Sequence, residues 1–489
     1  MSARTLHTTL IALACCILLP ACANGANPAP PTAPAATKIV ESTFIFPKQG
    51  YEHVHSSSIV ELPDGTLLAA WFQGSGECRA DDVRIMGARK PAGIAKWSEP
   101  FLLADTLGHP DCNPVLWIDK DKRLWLFWSA VLSNDWDSSL VKYRISTNYM
   151  TASGPPKWDW QDNLHIKPAN LQQHMLSGWK SLLTTILFVP RAISAEMSTM
   201  PLSLLLLGAW KLLVVLMLLI AAPFAVNVWR RRRTGRSGWK RFFLRTSLIY
   251  VPLLLVGAMG AVGYFALQSS NKLNQRLGWM TANTPVQLAS GEIVLPLYSD
   301  RFLASIMAIS SDGGTTWEAS DPLIGYGNIQ PGLTERRNGE LVAWMRESGL
   351  RKRIRYSVSS NQGRTWSSVS ETALPNPGAK IAITPLANGD WVMAYNPLAN
   401  GRHSLCLAIS HDEGENWRTF HSLDETVPET ASFSYPCLIE TSDGQLQVTY
   451  SHRQYGGGIE LKSIKHVTLC PPELDPKVQL AKDPRATRL

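Results

Sequence analysis

Two arginines of the sequence follow stretches that have the pattern of strands. Arg346 ends "NGELVAWMR" (338–346), and Arg402 follows "YNPLANG" (395–401). A planar guanidinium group can hold a carboxylate through two parallel hydrogen bonds. The pair therefore predicts an acidic ligand, unless both side chains are simply charges on a solvated rim.

A loop at 74–83, "GSGECRADDV", contains groups that can exchange protons. Its carboxylates are Glu77, Asp81 and Asp82. Such groups act as general acids or bases when a substrate lies within reach, but have no such role if they stay in water or pair with Arg79 or Arg84. The sequence has no CxxC pair and no His/Cys cluster with metal spacing, so we expect neither a metal nor another cofactor.

The stretches that must position these residues are marked by a turn that occurs three times. Its copies are "SSDGGTTW" (310–317), "SSNQGRTW" (359–366) and "SHDEGENW" (410–417). In each copy a short polar side chain can bond the local backbone, and a glycine can adopt positive φ. The turn predicts a hairpin whose final tryptophan lies back over it and buries a large apolar surface.

A second pattern counts the structural modules. Six stretches combine a turn with alternating apolar positions, and their turn residues are at 65, 122, 291, 339, 389 and 444. The gaps are 57, 169, 48, 50 and 55 residues, and a repeat of about 50 residues is typical of propeller blades. The sequence thus predicts an all-β six-bladed β-propeller, with an insertion of about 110 residues after the second blade.

The net charge of +8 does not indicate a nucleic-acid-binding protein, because the positive charge is local. The segment 229–245 carries eight Arg and Lys residues and no acidic residue. Apolar runs flank it at 202–228 and 247–267, and each has the ~20 residues that a membrane helix needs. Helices of a buried core are the alternative. The sequence predicts a two-helix transmembrane hairpin with a cytoplasmic loop at 230–245.

The N-terminal region has the features of an exported lipoprotein. The apolar run at 10–22 is typical of a signal peptide, and the sequence LPAC at 19–22 resembles a bacterial lipobox with Cys22 as the lipidated residue. A Pro/Ala-rich stretch follows, which cannot build a core. We therefore expect a protein of the bacterial cell envelope, anchored to the membrane, with the propeller on the periplasmic or outer side.

The predicted organisation has six parts. They are a signal peptide at 1–22, a tether at 23–40, the first part of the propeller at 41–175, a membrane insert at 176–276, the second part of the propeller at 277–470 and a polar tail at 471–489. Five cysteines remain after Cys22, and Cys78 and Cys112 are the nearest pair in sequence. An oxidising periplasm permits a bridge between them.

The turns, their tryptophans and the blade spacing together resemble the Asp-box repeats of the sialidase (neuraminidase) superfamily of six-bladed propellers. The stretches "GNIQPGLTERRNGELVAWMR" (327–346) and "FSYPCLIETSDGQLQVTYSHR" (433–453) are similar to its bacterial predicted neuraminidase-like branch. The resemblance covers residues 50–175 and 277–467. It is specific for the fold, whereas the same scaffold hosts different chemistries.

The resemblance also implies roles for individual residues. Tyr435 occupies the place of the family's tyrosine nucleophile, a neutral phenol that an anionic sugar does not repel. Arg346 and Arg402 occupy the places of carboxylate-binding arginines, and Arg453 is a further candidate. The alternative for Tyr435 is an aromatic residue of a strand with no role in catalysis.

The sequence departs from the family pattern at three places. His55 stands where the family has its first arginine, and Gln330 stands where it has the glutamate that activates the nucleophile. A protonated His55 could bind a carboxylate, or His55 could be the base that serves Tyr435; both remain open. The third place is the family's acid/base aspartate, which comes from the loop after a first-blade strand; Glu77, Asp81 and Asp82 are the candidates there, and their register stays open.

These residues predict a sialidase-like glycoside hydrolase that acts on an acidic sugar such as sialic acid. Because the family's first arginine and its glutamate are both replaced, two alternatives remain open. One is a hydrolase or lyase directed at another acidic sugar, such as a uronic acid, and the other is a glycan-binding propeller without turnover. An acidic glycan and a membrane are the expected partners in all three cases.

Overall fold

We describe the protein from a computed structural model, and its described residues are 39–48, 50, 52–169, 171, 271–323, 325, 327–349 and 351–471. They lie in one compact unit that spans 33–174 and 271–489. Cys22 and the helices predicted at 202–228 and 247–267 lie outside the described residues. Within the described ranges, no helix combines the length and the apolar character that crossing a membrane requires.

The described strands form six antiparallel sheets, each a blade of a propeller. Blade 1 contains β2 (His53–Glu61), β3 (Leu67–Gly74), β4 (Arg84–Lys90) and β5 (Phe101–Ala104). Blade 2 contains β6 (Asp111–Ile118), β7 (Leu124–Val131), β8 (Ser139–Ser146) and β9 (Trp160–Asn163), with a 3₁₀ turn at Trp136–Ser138. Blade 3 contains β10 (Met280–Thr281), β11 (Val286–Gln287), β12 (Ile293–Ser299), β13 (Ala304–Ser310) and β14 (Glu318–Ala319).

The other three blades follow in the same order along the chain. Blade 4 contains β15 (Asn328–Glu335), β16 (Leu341–Glu347), β17 (Arg353–Ser359) and β18 (Ser370–Pro375). Blade 5 contains β19 (Ala382–Pro385), β20 (Trp391–Tyr395), β21 (Ser404–Ser410) and β22 (Arg418–Glu425). Blade 6 contains β23 (Ala431–Glu440), β24 (Leu446–Gly456) and β25 (Ile459–Leu469), and β1 (Ile39–Phe44) pairs with β25 as its outermost strand.

The predicted six-bladed propeller is confirmed, and so is its count of hairpins. Each predicted turn residue lies between the first and second full strands of its blade and has positive φ. They are Gly65, Lys122, Gly291, Gly339, Gly389 and Gly444. The first strands of neighbouring blades contact one another and surround a central channel. Apolar side chains of adjacent blades pack between the sheets and form the core.

The repeated polar turns connect the third and fourth strands of blades 3, 4 and 5. In the first copy, the Asp312 carboxylate accepts hydrogen bonds from Ser310 and from the backbone and hydroxyl of Thr316. The sequence did not predict that Trp317 also packs edge-on against Trp125 of the preceding blade, with ring centroids 6.5 Å apart. The turn therefore joins two blades as well as two strands.

The same contact between blades recurs at the turn of blade 5. Trp417 packs edge-on against Trp344 of blade 4, with ring centroids 5.5 Å apart. Gly414 adopts φ +92° there, and a Cβ atom at this position would lie 2.5 Å from Trp344. A side chain is therefore excluded by both the backbone conformation and the neighbouring ring.

The bridge that the cysteine spacing permits is not formed. Cys78 and Cys112 are both buried, and no disulfide joins them. Among the described residues, three further cysteines form no disulfide, and of these Cys406 and Cys437 are buried while Cys470 is exposed. The described blades are therefore held together by packing and hydrogen bonds.

We expect Gly414→Ala to destabilise the propeller more than Gly339→Ala does. Both glycines have positive φ, but nothing lies within 4 Å of a Cβ atom at Gly339. The control isolates the backbone strain of about 1–2 kcal/mol, whereas Gly414→Ala adds overpacking of about 1–3 kcal/mol. Chemical denaturation of the two full-length variants measures the difference in the free energy of unfolding. Equal losses of stability would show that the Trp344 ring moves to make room for the added methyl group.

Candidate active site

The innermost strands of four blades share an irregularity at one position. Each contains a register shift, and a non-glycine residue at the shift has φ between 54° and 56°. These residues are Ser56, Asn113, Gln330 and Tyr435. Positive φ is uncommon for such residues and stores strain of about 1–3 kcal/mol each. A bulge of this kind redirects a side chain, and here it positions the groups described below.

Gln330 lies at the centre of a buried polar network. Its Nε2 donates to the hydroxyls of Tyr298 at 3.2 Å and Tyr435 at 3.1 Å, and its Oε1 accepts from Nη1 of Arg346 at 3.1 Å. A guanidinium group can only donate, so the amide oxygen must face Arg346 and the amide nitrogen must face the two phenols. Gln330 therefore donates to Tyr435 and is not placed to receive its proton.

Tyr435 is surrounded by four of the predicted site residues. Besides Gln330, Nη1 of Arg346 donates to its hydroxyl oxygen at 3.0 Å. The guanidinium carbon of Arg402 lies 5.8 Å from the centre of its ring, and the His55 ring lies 4.2 Å from it, centroid to centroid. The chain thus brings two cations, an amide and an imidazole to one phenol.

A second group, formed by Glu77, His53 and Arg453, lies beside His55. Glu77 Oε1 is 2.9 Å from Nε2 of His53 and 3.7 Å from Nη2 of Arg453. The rings of His53 and His55 are 5.9 Å apart. Burial raises the pKa of Glu77, but the hydrogen bond from His53 and the charge of Arg453 outweigh it and lower the pKa below its ordinary value. Glu77 is therefore ionised at neutral pH.

The structure separates the three acid/base candidates of the first-blade loop. Glu77 reaches the cluster around Tyr435 through His53. Asp81 is exposed, and its Oδ1 accepts a hydrogen bond from Asn134 of blade 2 at 2.6 Å. Asp82 accepts hydrogen bonds from Ser75. Glu77 is thus the carboxylate of this loop that joins the site, and no contact places Asp81 there.

Three guanidinium groups carry positive charge into the site. Burial lowers the pKa of Arg402, and the charges of Arg346 and Arg453 lower it further, although Tyr435 opposes them. Burial lowers the pKa of Arg346 too, but Tyr435, Asp300 and Tyr298 raise it more. An anion bound beside Arg402 would therefore offset the repulsion from the other two guanidinium groups.

His55 is neutral in this environment. Burial lowers its pKa well below 6.5, and the charges of Arg453, His53 and Arg402 add to the effect. Its Nδ1 is buried and has no hydrogen-bond partner in the described part of the chain. The lowered pKa disfavours a protonated His55 as a carboxylate ligand, and it also makes the neutral imidazole a weaker acceptor of a proton.

Three residues of the site were not found from the sequence, namely Asn113, Tyr298 and His53. Tyr298 is buried and accepts hydrogen bonds from both Asn113 and Gln330, and His53 pairs with Glu77. For Asn113 the sequence contained a signal, because Ser56, Asn113, Gln330 and Tyr435 all lie nine residues before the turn residue of their blade. Tyr298 also had a signal, because it lies seven residues after the turn residue Gly291, as Arg346 lies seven residues after Gly339, whereas His53 had none.

Comparisons with known proteins agree with this architecture. A family model described as a BNR repeat-like domain matches residues 65–201 and 270–448. A protein of unknown function from Dyadobacter fermentans is similar in structure, with 12% identity, a TM-score of 0.53, and coverage of 88% of this chain and 98% of that one. No curated protein is significantly similar in sequence.

Two enzymes of known structure are also similar. The leech intramolecular trans-sialidase, bound to 2,7-anhydro-Neu5Ac, has 13% identity and a TM-score of 0.53, over 89% of this chain and 70% of that one. The intramolecular trans-sialidase from Ruminococcus gnavus, bound to oseltamivir carboxylate, has 13% identity and a TM-score of 0.52, over 86% and 95%. At such identities the likeness shows the fold. Because the family model matches more than half of its length, the chain belongs to the BNR repeat-like family of sialidase-type propellers.

Proposed function

We propose that the protein is a glycoside hydrolase-like enzyme that binds the carboxylate of an acidic sugar between Arg346 and Arg402. The observation that carries this proposal is the placement of both guanidinium groups against Tyr435, where Arg402 is repelled by its cationic neighbours. An incoming carboxylate would relieve that repulsion. The two similar trans-sialidases support the choice, because each was bound to an acidic ligand.

Both arginines keep donors for such a ligand. Nη1 of Arg346 is used by Gln330 and Tyr435, and Nη2 of Arg402 is used by the carbonyl of Gly378. A guanidinium group has five N–H donors. The remaining N–H groups of the two side chains can bind the two oxygens of one carboxylate, in a site where burial strengthens each hydrogen bond.

Tyr435 is the proposed nucleophile. Its oxygen would bond to the anomeric carbon while the glycosidic C–O bond breaks, and water would then release the sugar. Two donors already point at this oxygen and would stabilise the phenolate. Because Gln330 donates to the phenol, the proton must go elsewhere, and His55, whose ring lies 4.2 Å from that of Tyr435, is the proposed acceptor.

Glu77 fits the second step of such a reaction better than the first. An ionised carboxylate cannot protonate a leaving group, but it can take a proton from the attacking water. Without an acid in place, we expect cleavage of sugars with good leaving groups to be faster than cleavage of ordinary glycosides. With Glu77 as a base only, we expect the enzyme to cleave a narrower range of glycosides than an enzyme with a full acid/base pair.

A glycan-binding propeller without turnover is the second candidate. It is favoured by the orientation of Gln330, which donates to Tyr435 where a proton acceptor would assist catalysis. The acidic-sugar site is common to both candidates. A uronic acid carries the same carboxylate as a sialic acid, so the arginines accommodate either class.

We also propose that the protein acts at the bacterial cell envelope. The proposal depends on the apolar runs at 202–228 and 247–267, on the basic loop between them, and on Cys22 in its lipobox-like sequence. The runs would anchor the chain as a transmembrane hairpin. The propeller would then meet acidic glycans on the periplasmic or outer side.

We expect Arg346→Lys and Arg402→Lys to weaken binding of an acidic sugar by ~10-fold or more, since a charged hydrogen bond contributes about 1.5–3 kcal/mol. Calorimetric titration with sialic acid and glucuronic acid measures this, with N-acetylglucosamine as the neutral comparison. Arg353→Lys, on an exposed part of the same blade, is the matched control. Unchanged affinity in both site variants would place the carboxylate elsewhere.

We expect Tyr435→Phe to abolish hydrolysis of aryl sialosides or aryl uronides while the variant still binds the free sugar. The phenyl ring keeps the packing against His55 and loses only the oxygen. Release of the aryl group measures the reaction, and Tyr356→Phe on β17 is the control. Hydrolysis that survives in Tyr435→Phe would show that another residue is the nucleophile.

We expect Gln330→Glu to raise aryl glycoside turnover by ~10-fold or more, because a carboxylate can accept the Tyr435 proton and a positioned base contributes 10²–10⁴-fold. Gln287→Glu, in a half-exposed strand of blade 3, controls for the added charge. A folded Gln330→Glu variant that binds an acidic sugar but turns over no substrate would favour the glycan-binding candidate.

A further inference from the structure

The central channel contains a cavity directly behind the residues that carry the site. Its volume is about 20 Å³, which is room for a group about the size of one water molecule. All six blades contribute to its wall: Ser57 and Ser58, Val115, Asn283 and Thr284, Gly332 and Leu333, Lys380 and Ile383, and Cys437 and Leu438. Pro436 and Cys437 directly follow Tyr435, so the cavity and the site share one strand.

Lys380 brings a cationic group into this cavity. Its side chain is 2% exposed, and its Nζ donates to the carbonyl of Pro436 at 2.6 Å. Burial lowers its pKa to about 8, and the Cys437 thiol is the group that opposes this shift. The cavity wall contains no carboxylate, and its ionisable side chains are Lys380 and Cys437.

Lys380 occupies the same position in blade 5 as the bulge residues of four other blades. It lies nine residues before the turn glycine Gly389, as Tyr435 lies nine before Gly444. The blade that could have supplied another site residue thus supplies an ammonium group to the channel. An ammonium group has three donors, and a single carbonyl partner does not balance its charge.

A second polar group in the wall is without a partner. The hydroxyl of Ser57 is buried, and it has no hydrogen-bond partner within the described residues. Leaving a buried hydroxyl unpaired costs about 1–3 kcal/mol. The neighbouring Ser58 differs, because its oxygen accepts from the backbone of Leu116. Lys380 and Ser57 are therefore two hydrogen-bond donors that line one cavity, and neither has a negatively charged acceptor.

We propose that the channel binds a halide ion, chloride in the cell, between the ammonium group of Lys380 and the hydroxyl of Ser57. A halide accepts hydrogen bonds from any direction and needs few of them. Phosphate or sulfate would need more donors than a wall containing Val115, Leu333 and Ile383 supplies. A metal cation is disfavoured because the wall offers it no carboxylate and Lys380 repels it.

The ion would also stabilise the backbone next to Tyr435. Lys380 donates to Pro436, which follows the strained Tyr435, and a bound anion keeps Lys380 protonated. Loss of the proton would weaken the hydrogen bond from Lys380 to this carbonyl. This inference concerns the channel, so it stands whether or not the protein hydrolyses a sugar.

Thermal unfolding of the full-length protein in sodium chloride and in sodium gluconate of equal concentration tests the proposal. We expect chloride to raise the midpoint by about 2 °C or more in a saturable manner, since a ligand of the folded state stabilises it. In Lys380→Met the chloride effect should be lost. In the control Lys465→Met, which removes a lysine paired with Asp424, the midpoint falls but the chloride effect remains.

If Lys380→Met does not fold, two further measurements test whether the channel binds a halide. Chloride binds only while Lys380 is protonated, so its affinity falls as pH rises through the pKa of about 8. The chloride effect on the wild type should be present at pH ~6.5 and lost at pH ~9.5. Crystals soaked in sodium bromide should show anomalous density beside Nζ of Lys380. Equal midpoints in both salts at pH ~6.5, or a channel without bromide density, would overturn the proposal.

Discussion

A backbone conformation that few side chains tolerate sets the geometry of the whole site. Ser56, Asn113, Gln330 and Tyr435 adopt it at one equivalent place in four blades, and a proline follows in three of them. The residue before a proline already has a restricted backbone conformation. The strained conformation persists because the surrounding sheets hold it. Because of this conformation, strands whose side chains would otherwise alternate evenly bring the amide of Gln330 into contact with the phenols of Tyr298 and Tyr435.

Packing between blades provides the rigidity that such strain requires. The polar turns of blades 3 and 5 deliver Trp317 and Trp417 onto aromatic rings of the preceding blade, and a glycine lies under each contact. The neighbouring sheets are therefore fixed at the outer part of the propeller while the bulges distort its inner part. Displacement of one blade would separate Gln330 from Tyr435, because the two residues come from blades 4 and 6.

Repetition explains why the fold could be predicted from the sequence. Turn residues recurred at a blade-like interval, and every one has positive φ. Arg346 and Tyr435 lie seven residues after and nine residues before the turn glycines of their blades, which places both at the same end of an inner hairpin. Charge and orientation did not follow from position: burial decides that His55 is neutral, and Arg346 decides which way Gln330 faces. Spacing also could not choose between Glu77 and Asp81, because a loop has no fixed register.

The closure of blade 6 has a consequence for biosynthesis. Its outermost strand, β1, comes from the beginning of the described chain and its other strands come from the end, so the hydroxyl of Ser463 donates to the carbonyl of Phe46 across 417 residues. The first strand to be made therefore waits for the last. Until then the ring is open and β1 has no partner strand, which leaves an unpaired edge as a site for aggregation. A chain made in this order would benefit from a chaperone that covers β1 until synthesis is complete.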